Sequence, residues 1–197
     1  MISDELSHGE SFGFPFSYYV ASQALTVDAS MSILDWLEKD APWRLVEETF
    51  YEQYEFNFYH ADLPAELSEL VHHSCLHRVK NMVEGLFDVK LSDRINFSAH
   101  KLVPGQRIRV HNDYLPGQET HRLLIQLNRG WSDENGGFLM FFNSDNANDI
   151  HKIIRPLHNS CAAFAISPDS NHAVSTIHHG HRYTLVYSFY QVVPCLT

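Results

Sequence analysis

The spacing of the apolar residues changes near the midpoint of this chain. In the first half, apolar residues recur every three or four positions over 26–39 and 62–86, which predicts two amphipathic helices. Residues 43–58 alternate in part and predict one strand, whereas residues 1–13 show no pattern and are expected to form a loose tail. From residue 94 onward, apolar and polar residues alternate in short runs. The chain is therefore predicted to be mainly β, with N-terminal helices.

Eight candidate strands fill the second half, and turn-forming pairs such as Pro104-Gly105 separate them. The predicted strands are 94–103, 106–113, 121–128, 137–142, 151–156, 160–166, 172–177 and 181–191. Strands of this number and length predict a double-stranded β-helix, or jelly roll, with the two helices buttressing one sheet. No repeat or linker divides the sequence, so we expect 1–197 to form a single domain, with 14–90 as a helical support region and 94–191 as the jelly-roll core.

The composition excludes several classes of function. The formal net charge is −10 at pH 7 and Lys and Arg form no cluster, which argues against a surface that follows nucleic-acid phosphates. No apolar run is long enough for a membrane helix, and the start of the chain lacks the basic and apolar parts of a signal peptide. Cys75, Cys161 and Cys195 are too widely spaced for a zinc pattern, and an odd count argues against a disulfide framework. We expect a cytoplasmic protein that binds neither nucleic acid nor membrane.

Two His-x-Asp pairs each offer an imidazole and a carboxylate side by side. His60 and Asp62 come directly before the second predicted helix, where Asp62 is explained as the helix cap. His111 and Asp113 come at the end of a predicted strand, where side chains two residues apart face the same side. The second pair is therefore the candidate half of a metal site.

A third ligand for this pair has to come from another strand. The candidates are His121, His151, His158, His172, His178, His179 and His181. His172 is favoured because it opens a predicted strand and Arg182 lies at the start of the next predicted strand, 181–191. A turn at His179-Gly180 would place these two strands antiparallel, so that Arg182 points into the same interior as His172.

Two histidines and one carboxylate leave three positions of a metal ion open, which is the arrangement of non-haem Fe(II) oxygenases. An arginine near such a centre suits the distal carboxylate of a dicarboxylic co-substrate, because its planar fork donates two parallel charge-assisted hydrogen bonds. The pattern thus predicts His111, Asp113 and His172 as metal ligands. Arg182 is predicted to anchor the co-substrate, with Thr184 adding one more hydrogen bond.

The order His111-x-Asp113, His172 and Arg182-x-Thr184 resembles that of the Fe(II)/2-oxoglutarate-dependent dioxygenases, and most closely their prolyl 4-hydroxylase-like branch. Flanking features that also resemble this branch are Pro104-Gly105, Arg122 before Leu127-Asn128 and Trp131, Gly136-Gly137 before Phe138-Leu139, Pro156 before Asn159, and Gly180. The resemblance covers residues 94–191, about half of the chain. One departure is Leu102, which stands where the branch often has a tyrosine that contacts 2-oxoglutarate.

The resemblance implies Fe(II) as the metal, 2-oxoglutarate as the co-substrate and O2 as the oxidant, and it leaves stimulation by ascorbate open. It implies hydroxylation of an unactivated C–H bond of an amino-acid side chain, with release of succinate and CO2. Asp113 favours hydroxylation over halogenation, because halogenating relatives lack that carboxylate. The expected substrate is a peptide or protein, and the alternative is a free amino acid or small metabolite. The N-terminal region is similar to that of small bacterial members that modify ribosomally made peptides.

Two interpretations of another class remain, namely a cupin-like module that binds a metal or ligand without catalysis and a catalytically idle scaffold. Both would keep the jelly roll, but neither needs Arg182 in its interior. Loops 114–120 and 143–149 are predicted to border the entrance, since loops at the mouth of such a barrel set specificity. Arg122 is interpreted as a structural ion-pair or strand-end residue. The aromatic residues between Trp36 and Phe58 are interpreted mainly as core.

Overall fold

The computed structural model describes residues 1–192 of the chain. Within that range the backbone forms two α-helices, Val27–Lys39 (α1) and His73–Phe87 (α2), and twelve strands. The strands in chain order are Glu10–Phe12 (β1), Tyr18–Ala21 (β2), Arg44–Glu47 (β3), Glu52–Asn57 (β4), Leu91–Leu102 (β5), Ile108–His111 (β6), His121–Gln126 (β7), Leu139–Phe142 (β8), Ile150–Ile154 (β9), Cys161–Ala165 (β10), His172–Val174 (β11) and Arg182–Gln191 (β12). Short 3-10 helices at Asp4–Ser7, Phe58–His60, Ala65–Val71 and Asp133–Asn135 connect them.

The strands form two antiparallel sheets. The larger, which we call the major sheet, has eight strands in the order β1-β2-β10-β7-β12-β5-β4-β3. The minor sheet has four strands in the order β6-β11-β8-β9. This is the predicted jelly roll, and all eight strands predicted in the second half of the chain are present.

Alternation along β12 divides the interior into two cores. Leu185 and Tyr187 belong to a cluster that also holds the buried residues of α1 and α2. Val186, between them, belongs to a second cluster that joins residues of the major sheet to Leu139 and Val174 of the minor sheet. Because side chains two residues apart share a face, Arg182 and Thr184 point with Val186 into the space between the sheets. The helices therefore buttress the outer face of the major sheet, as predicted.

The N-terminal half contributes more strand than we predicted. The expected helical region 14–90 supplies β2, β3 and β4 to the major sheet, and the expected loose tail 1–13 supplies a 3-10 helix and β1. Residues 43–58 form an antiparallel hairpin where one strand was predicted. These pairings join residues far apart in sequence, such as β2 with β10, and local spacing does not encode them.

The helix predicted over 62–86 is divided in two. A 3-10 helix, Ala65–Val71, comes first, and His72 then leaves the helical region and caps α2 by accepting a hydrogen bond from the Ser74 amide. Asp62 is exposed and caps neither element, so the prediction that Asp62 caps a helix was wrong. His60, the other member of the first His-x-Asp pair, is also exposed. Gly85 is a plausible helix terminator in the sequence, but α2 continues past it to Phe87 and ends at Asp88, which lies in the left-handed region.

Cys75 and Cys161 are free and buried, and Cys195 lies outside the described residues. Over residues 1–192, no helix has both the length and the apolar character that crossing a membrane requires.

Candidate metal centre and active site

His111 and His172 lie on neighbouring strands of the minor sheet, β6 and β11, and are paired directly across them. With Asp113 they form the group that could hold a metal ion in the described part of the chain, since one ligand atom from each lies within 4.8 Å of the others. The structure therefore brings together the three residues that the sequence predicted as ligands. Of the other candidate histidines, His178, His179 and His181 are exposed at the turn before β12.

Asp113 reaches this group from a turn. The strand was predicted to continue to residue 113, but β6 ends at His111, two residues before Asp113. Its φ of 56° lies in the left-handed region, which Asp tolerates better than most residues. The Asn112 side chain holds the turn by accepting from the Tyr114 amide at 3.1 Å and donating to the Pro168 carbonyl at 3.0 Å. The Ser170 hydroxyl lies 3.1 Å from the Asn112 carbonyl, so the turn that carries Asp113 is bonded to the turn that leads into His172.

Hydrogen bonds to the backbone leave Nε2 of both histidines free for a metal. His111 Nδ1 lies 2.9 Å from the Arg109 carbonyl, and His172 Nδ1 lies 2.8 Å from the Ser170 carbonyl. Because a carbonyl can only accept, Nδ1 carries the proton in each ring and Nε2 keeps its lone pair. These Nε2 atoms lie 3.4 Å and 3.2 Å from the Asp113 carboxylate.

Two imidazole lone pairs and a carboxylate in this arrangement could together hold a metal cation. Burial lowers the pKa of His172, so its imidazole is neutral at neutral pH. A donor set of two imidazole nitrogens and one carboxylate oxygen is the one that suits non-haem Fe(II) with open positions. The residues present therefore fit the predicted metal.

A cavity of about 280 Å³ separates the two sheets at this point. The minor sheet and its turns line it with the candidate ligands, and the major sheet lines it with Arg122, Leu124, Arg182, Thr184 and Val186. The lining also includes Gln53 of β4, His100 of β5 and Tyr51 directly before β4. The sequence did not point to these three residues, because none of them belongs to a recognisable motif. Burial lowers the pKa of His100 to about 3, so that imidazole is neutral in the folded protein.

Arg182 is a buried cation with unused donors in this cavity. Only 3% of the residue is exposed, and burial lowers its pKa to about 10, so the guanidinium remains charged at neutral pH. Nη1 donates to the Thr184 hydroxyl at 2.9 Å, whereas Nε and Nη2 are buried without a hydrogen-bond partner. Buried charges are ordinarily paired. Arg182 is therefore suited to an anion that enters the cavity, and a carboxylate matches its planar fork.

Thr184 supports this guanidinium directly. Its hydroxyl oxygen accepts from Arg182 and lies 3.0 Å from Gln126 Oε1, to which it donates its proton. In this arrangement Thr184 orients Arg182, and a direct bond from Thr184 to a co-substrate stays a prediction.

The prediction that the strands of His172 and Arg182 form an antiparallel pair was wrong. β11 pairs with β6 and β8 in the minor sheet, whereas β12 pairs with β5 and β7 in the major sheet. The segment between them crosses from one sheet to the other. Arg182 still faces the same cavity as His172, because the two sheets face each other across it.

Arg122 does form ion pairs, as predicted, but it forms them inside the site. Nη1 donates to Asp113 Oδ2 and Nη2 donates to Glu119 Oε1. Burial raises the pKa of Asp113, but the Arg122 guanidinium and the two imidazoles together outweigh burial and hold that pKa well below its usual range. A signal for this placement was present in the sequence, since alternation puts Arg122 on the same face of β7 as Leu124 and Gln126.

An outer groove of about 550 Å³ leads to the centre. Its lining includes Tyr114, Leu115 and Glu119 of one predicted entrance loop and Asp145 of the other, so both loops border the entrance. Phe50 also lines it, with its ring centroid 4.5 Å from that of His111. Other aromatic residues of the same region, such as Trp36 and Phe58, are buried in the core. Leu102, at the position of the absent tyrosine, packs in the core between the sheets.

Comparison with known proteins identifies the family. Residues 96–190 match the sequence model of the 2OG-Fe(II) oxygenase superfamily. No curated protein sequence matches the chain significantly.

Several solved prolyl hydroxylases have a similar fold. A Pseudomonas putida prolyl-4-hydroxylase has a TM-score of 0.72 at 18% identity, and the match covers 89% of this chain and 93% of that chain. A Trichoplax adhaerens prolyl hydroxylase, solved with a hypoxia inducible factor oxygen degradation domain peptide fragment, has a TM-score of 0.66 at 11% identity and covers 88% and 83%. The viral collagen prolyl hydroxylase of Paramecium Bursaria Chlorella virus-1, solved as a 2OG complex, has a TM-score of 0.63 at 13% identity and covers 89% and 96%. These likenesses establish the fold, a prolyl 4-hydroxylase-like jelly roll. The family-model match over residues 96–190 shows that the chain belongs to the 2OG-Fe(II) oxygenase superfamily and is an Fe(II)/2-oxoglutarate-dependent dioxygenase.

Proposed function

We propose that His111, Asp113 and His172 bind Fe(II), that Arg182 binds the distal carboxylate of 2-oxoglutarate, and that the enzyme hydroxylates an amino-acid side chain. The observation that carries this proposal is the pair of unused, buried donors on Arg182 in the cavity that also holds the three ligand atoms. A cupin-like binding module would have no use for that cation. When bound, the metal and co-substrate would supply the oxidising chemistry that converts a substrate C–H bond, O2 and 2-oxoglutarate to a C–OH group, succinate and CO2.

The protein's own side chains hold the reactants and keep water out. The two histidines present Nε2 in the required tautomer, and Asp113 supplies the carboxylate that occupies a position which halogenating relatives leave to chloride. Ile108, Leu124, Leu139, Val174 and Val186 give the cavity apolar walls. Apolar walls exclude water and strengthen the electrostatic contact between Arg182 and a carboxylate.

We propose a peptide or protein segment as the substrate, with a free amino acid or small metabolite as the alternative. The outer groove is open, has aromatic and aliphatic walls and reaches His111 and Asp113 directly. One structural relative was solved with a peptide fragment, and its fold matches 88% of this chain. We also propose that the whole chain acts as a single oxygenase domain, because β1–β4 are hydrogen-bonded into the same sheet as β12.

The test is turnover of 2-oxoglutarate without added substrate. Purified protein with Fe(II), O2 and 2-oxoglutarate should release succinate above a metal-free blank, and ascorbate should be tested as a stimulant. Absence of succinate while iron is demonstrably bound would contradict the proposed catalytic function. A screen of peptides and amino acids for a mass gain of one oxygen atom would then separate the peptide substrate from the alternative.

A further inference from the structure

Arg122 reaches across the cavity from the major sheet to the carboxylate of Asp113. It lies on β7, and its Nη1 and Nη2 contact Asp113 and Glu119. Its side chain is only 15% exposed. Glu119 lies on the entrance loop and lines both the inner cavity and the outer groove. These three residues form a carboxylate–guanidinium–carboxylate chain from the entrance to the metal centre.

The Asp113 carboxylate has few other contacts. Among residues 1–192, its polar side-chain partners are His111, His172 and Arg122, and the two histidines are themselves proposed ligands. Asp113 also lies outside any strand, so no ladder of backbone hydrogen bonds fixes it. Arg122 is therefore the donor that can hold the carboxylate in one orientation without competing for the metal as a ligand. Partners of this kind commonly set the affinity of a metal site.

We propose that Arg122 is a positioning residue, which fixes the Asp113 carboxylate for metal binding and is itself held by Glu119. This inference rests on the proposed function. A guanidinium can do this because its rigid planar fork bonds two carboxylates at once. A lysine would supply the charge but only a point contact, so it could not hold both partners in fixed directions.

The experiment measures metal affinity, not activity. Co(II) replaces Fe(II) as the probe, because its visible absorption bands report the number and geometry of its ligands. Wild type, Arg122→Gln, Arg122→Lys and Glu119→Gln are titrated with Co(II) under anaerobic conditions. Arg155→Gln is the matched control, since Arg155 forms an ion pair with Asp133 on the surface, where its side chain is 50% exposed.

Arg122→Gln should bind Co(II) about 10- to 100-fold more weakly and change the visible spectrum. Arg122→Lys should fall between this variant and wild type, Glu119→Gln should shift in the same direction, and Arg155→Gln should match wild type. A folded Arg122→Gln protein with wild-type affinity and spectrum would overturn the inference. If that variant does not fold, wild-type Co(II) binding by both Arg122→Lys and Glu119→Gln would overturn it equally.

Two further outcomes separate this inference from the proposed function. A variant that loses only 2-oxoglutarate affinity, with Co(II) binding intact, would make Arg122 a co-substrate contact and overturn the positioning role. Wild type that binds Co(II) but releases no succinate with Fe(II) would contradict the catalytic proposal. The ratio of Co(II) affinities between wild type and Arg122→Gln would still decide the positioning role.

Discussion

His111 and His172 face each other across the antiparallel pairing of β6 and β11, with ring centroids 4.2 Å apart. The register of these two strands therefore sets the distance between the proposed ligands. Asp113 joins them from a turn, and Arg182 approaches from the facing sheet. The minor sheet and its turn thus carry the proposed metal ligands, and the major sheet carries the proposed co-substrate anchor. The proposed reactants would meet in the cavity between the two sheets.

Asp113→Ala should abolish metal binding at this centre. It removes the only carboxylate of the ligand group, so the loss of affinity and of succinate release should exceed the roughly 100-fold that supporting residues cost. Asp62→Ala is the matched control, because Asp62 belongs to the other His-x-Asp pair and is exposed. Metal titration and succinate release are measured for both. Equal behaviour of the two variants would contradict the assignment of the ligands.

Arg182→Lys should raise the KM for 2-oxoglutarate and leave metal affinity unchanged. The lysine keeps the charge but loses the fork that can donate two parallel bonds, and charge-assisted hydrogen bonds of this kind correspond to roughly 10- to 100-fold in affinity. Arg129→Lys, at an exposed ion pair with Asp35, is the control. A normal KM in the Arg182→Lys enzyme would show that the distal carboxylate binds elsewhere.

The sequence was sufficient where the determinants are local. Alternation places Arg182 and Thr184 on one face of β12, and the same alternation places Arg122 on the face of β7 that lines the cavity. The pairing of His111 with His172 and the assignment of β11 and β12 to different sheets depend on contacts between distant residues, which one-dimensional spacing does not encode.

Residues 62–86 are a case in which the local pattern predicted the wrong local structure. Their apolar spacing is continuous, but His72 adopts an extended conformation and caps the helix that follows. The competition between that cap and a continuous helix is decided by packing. The left-handed turn at Asp113 was not predicted either, because the strand-like alternation of the sequence continues up to this residue.

Gly137→Ala should raise the KM for 2-oxoglutarate by displacing Arg182. A Cβ at Gly137 would lie 2.6 Å from Ile177 Cδ1 and 3.0 Å from Arg182 Cδ. A small displacement of a group that binds a reactant can lower the rate or affinity by roughly tenfold or more. Gly117→Ala is the control, since its φ of +75° is also left-handed but the added Cβ meets open space. Both variants should lose about 1–2 kcal/mol of stability from the backbone alone. Equal KM values for the two variants would mean that Arg182 is not disturbed.

The free energy of unfolding of the metal-free protein should fall as the pH drops from 7 to 5, and His121 should account for part of that fall. His121 is 4% exposed, and burial lowers its pKa to about 4. Because an unfolded histidine titrates at about 6.5, the unfolded chain binds more protons than the folded one between these two values. The contribution of His121 to the free energy of unfolding is therefore fully present above its pKa in the unfolded chain. It is lost progressively as the pH falls toward its pKa in the folded protein.

The share of His121 is isolated by His121→Gln, which cannot be protonated. Denaturant unfolding of both proteins at pH 7 and pH 5 should show the wild type losing on the order of 2 kcal/mol more than the variant. Buried His100, whose pKa is lowered to about 3, contributes to the slope of both proteins and cancels in the difference. A difference in unfolding free energy that stays constant from pH 7 to pH 5 would show that His121 does not titrate differently in the folded and unfolded chains.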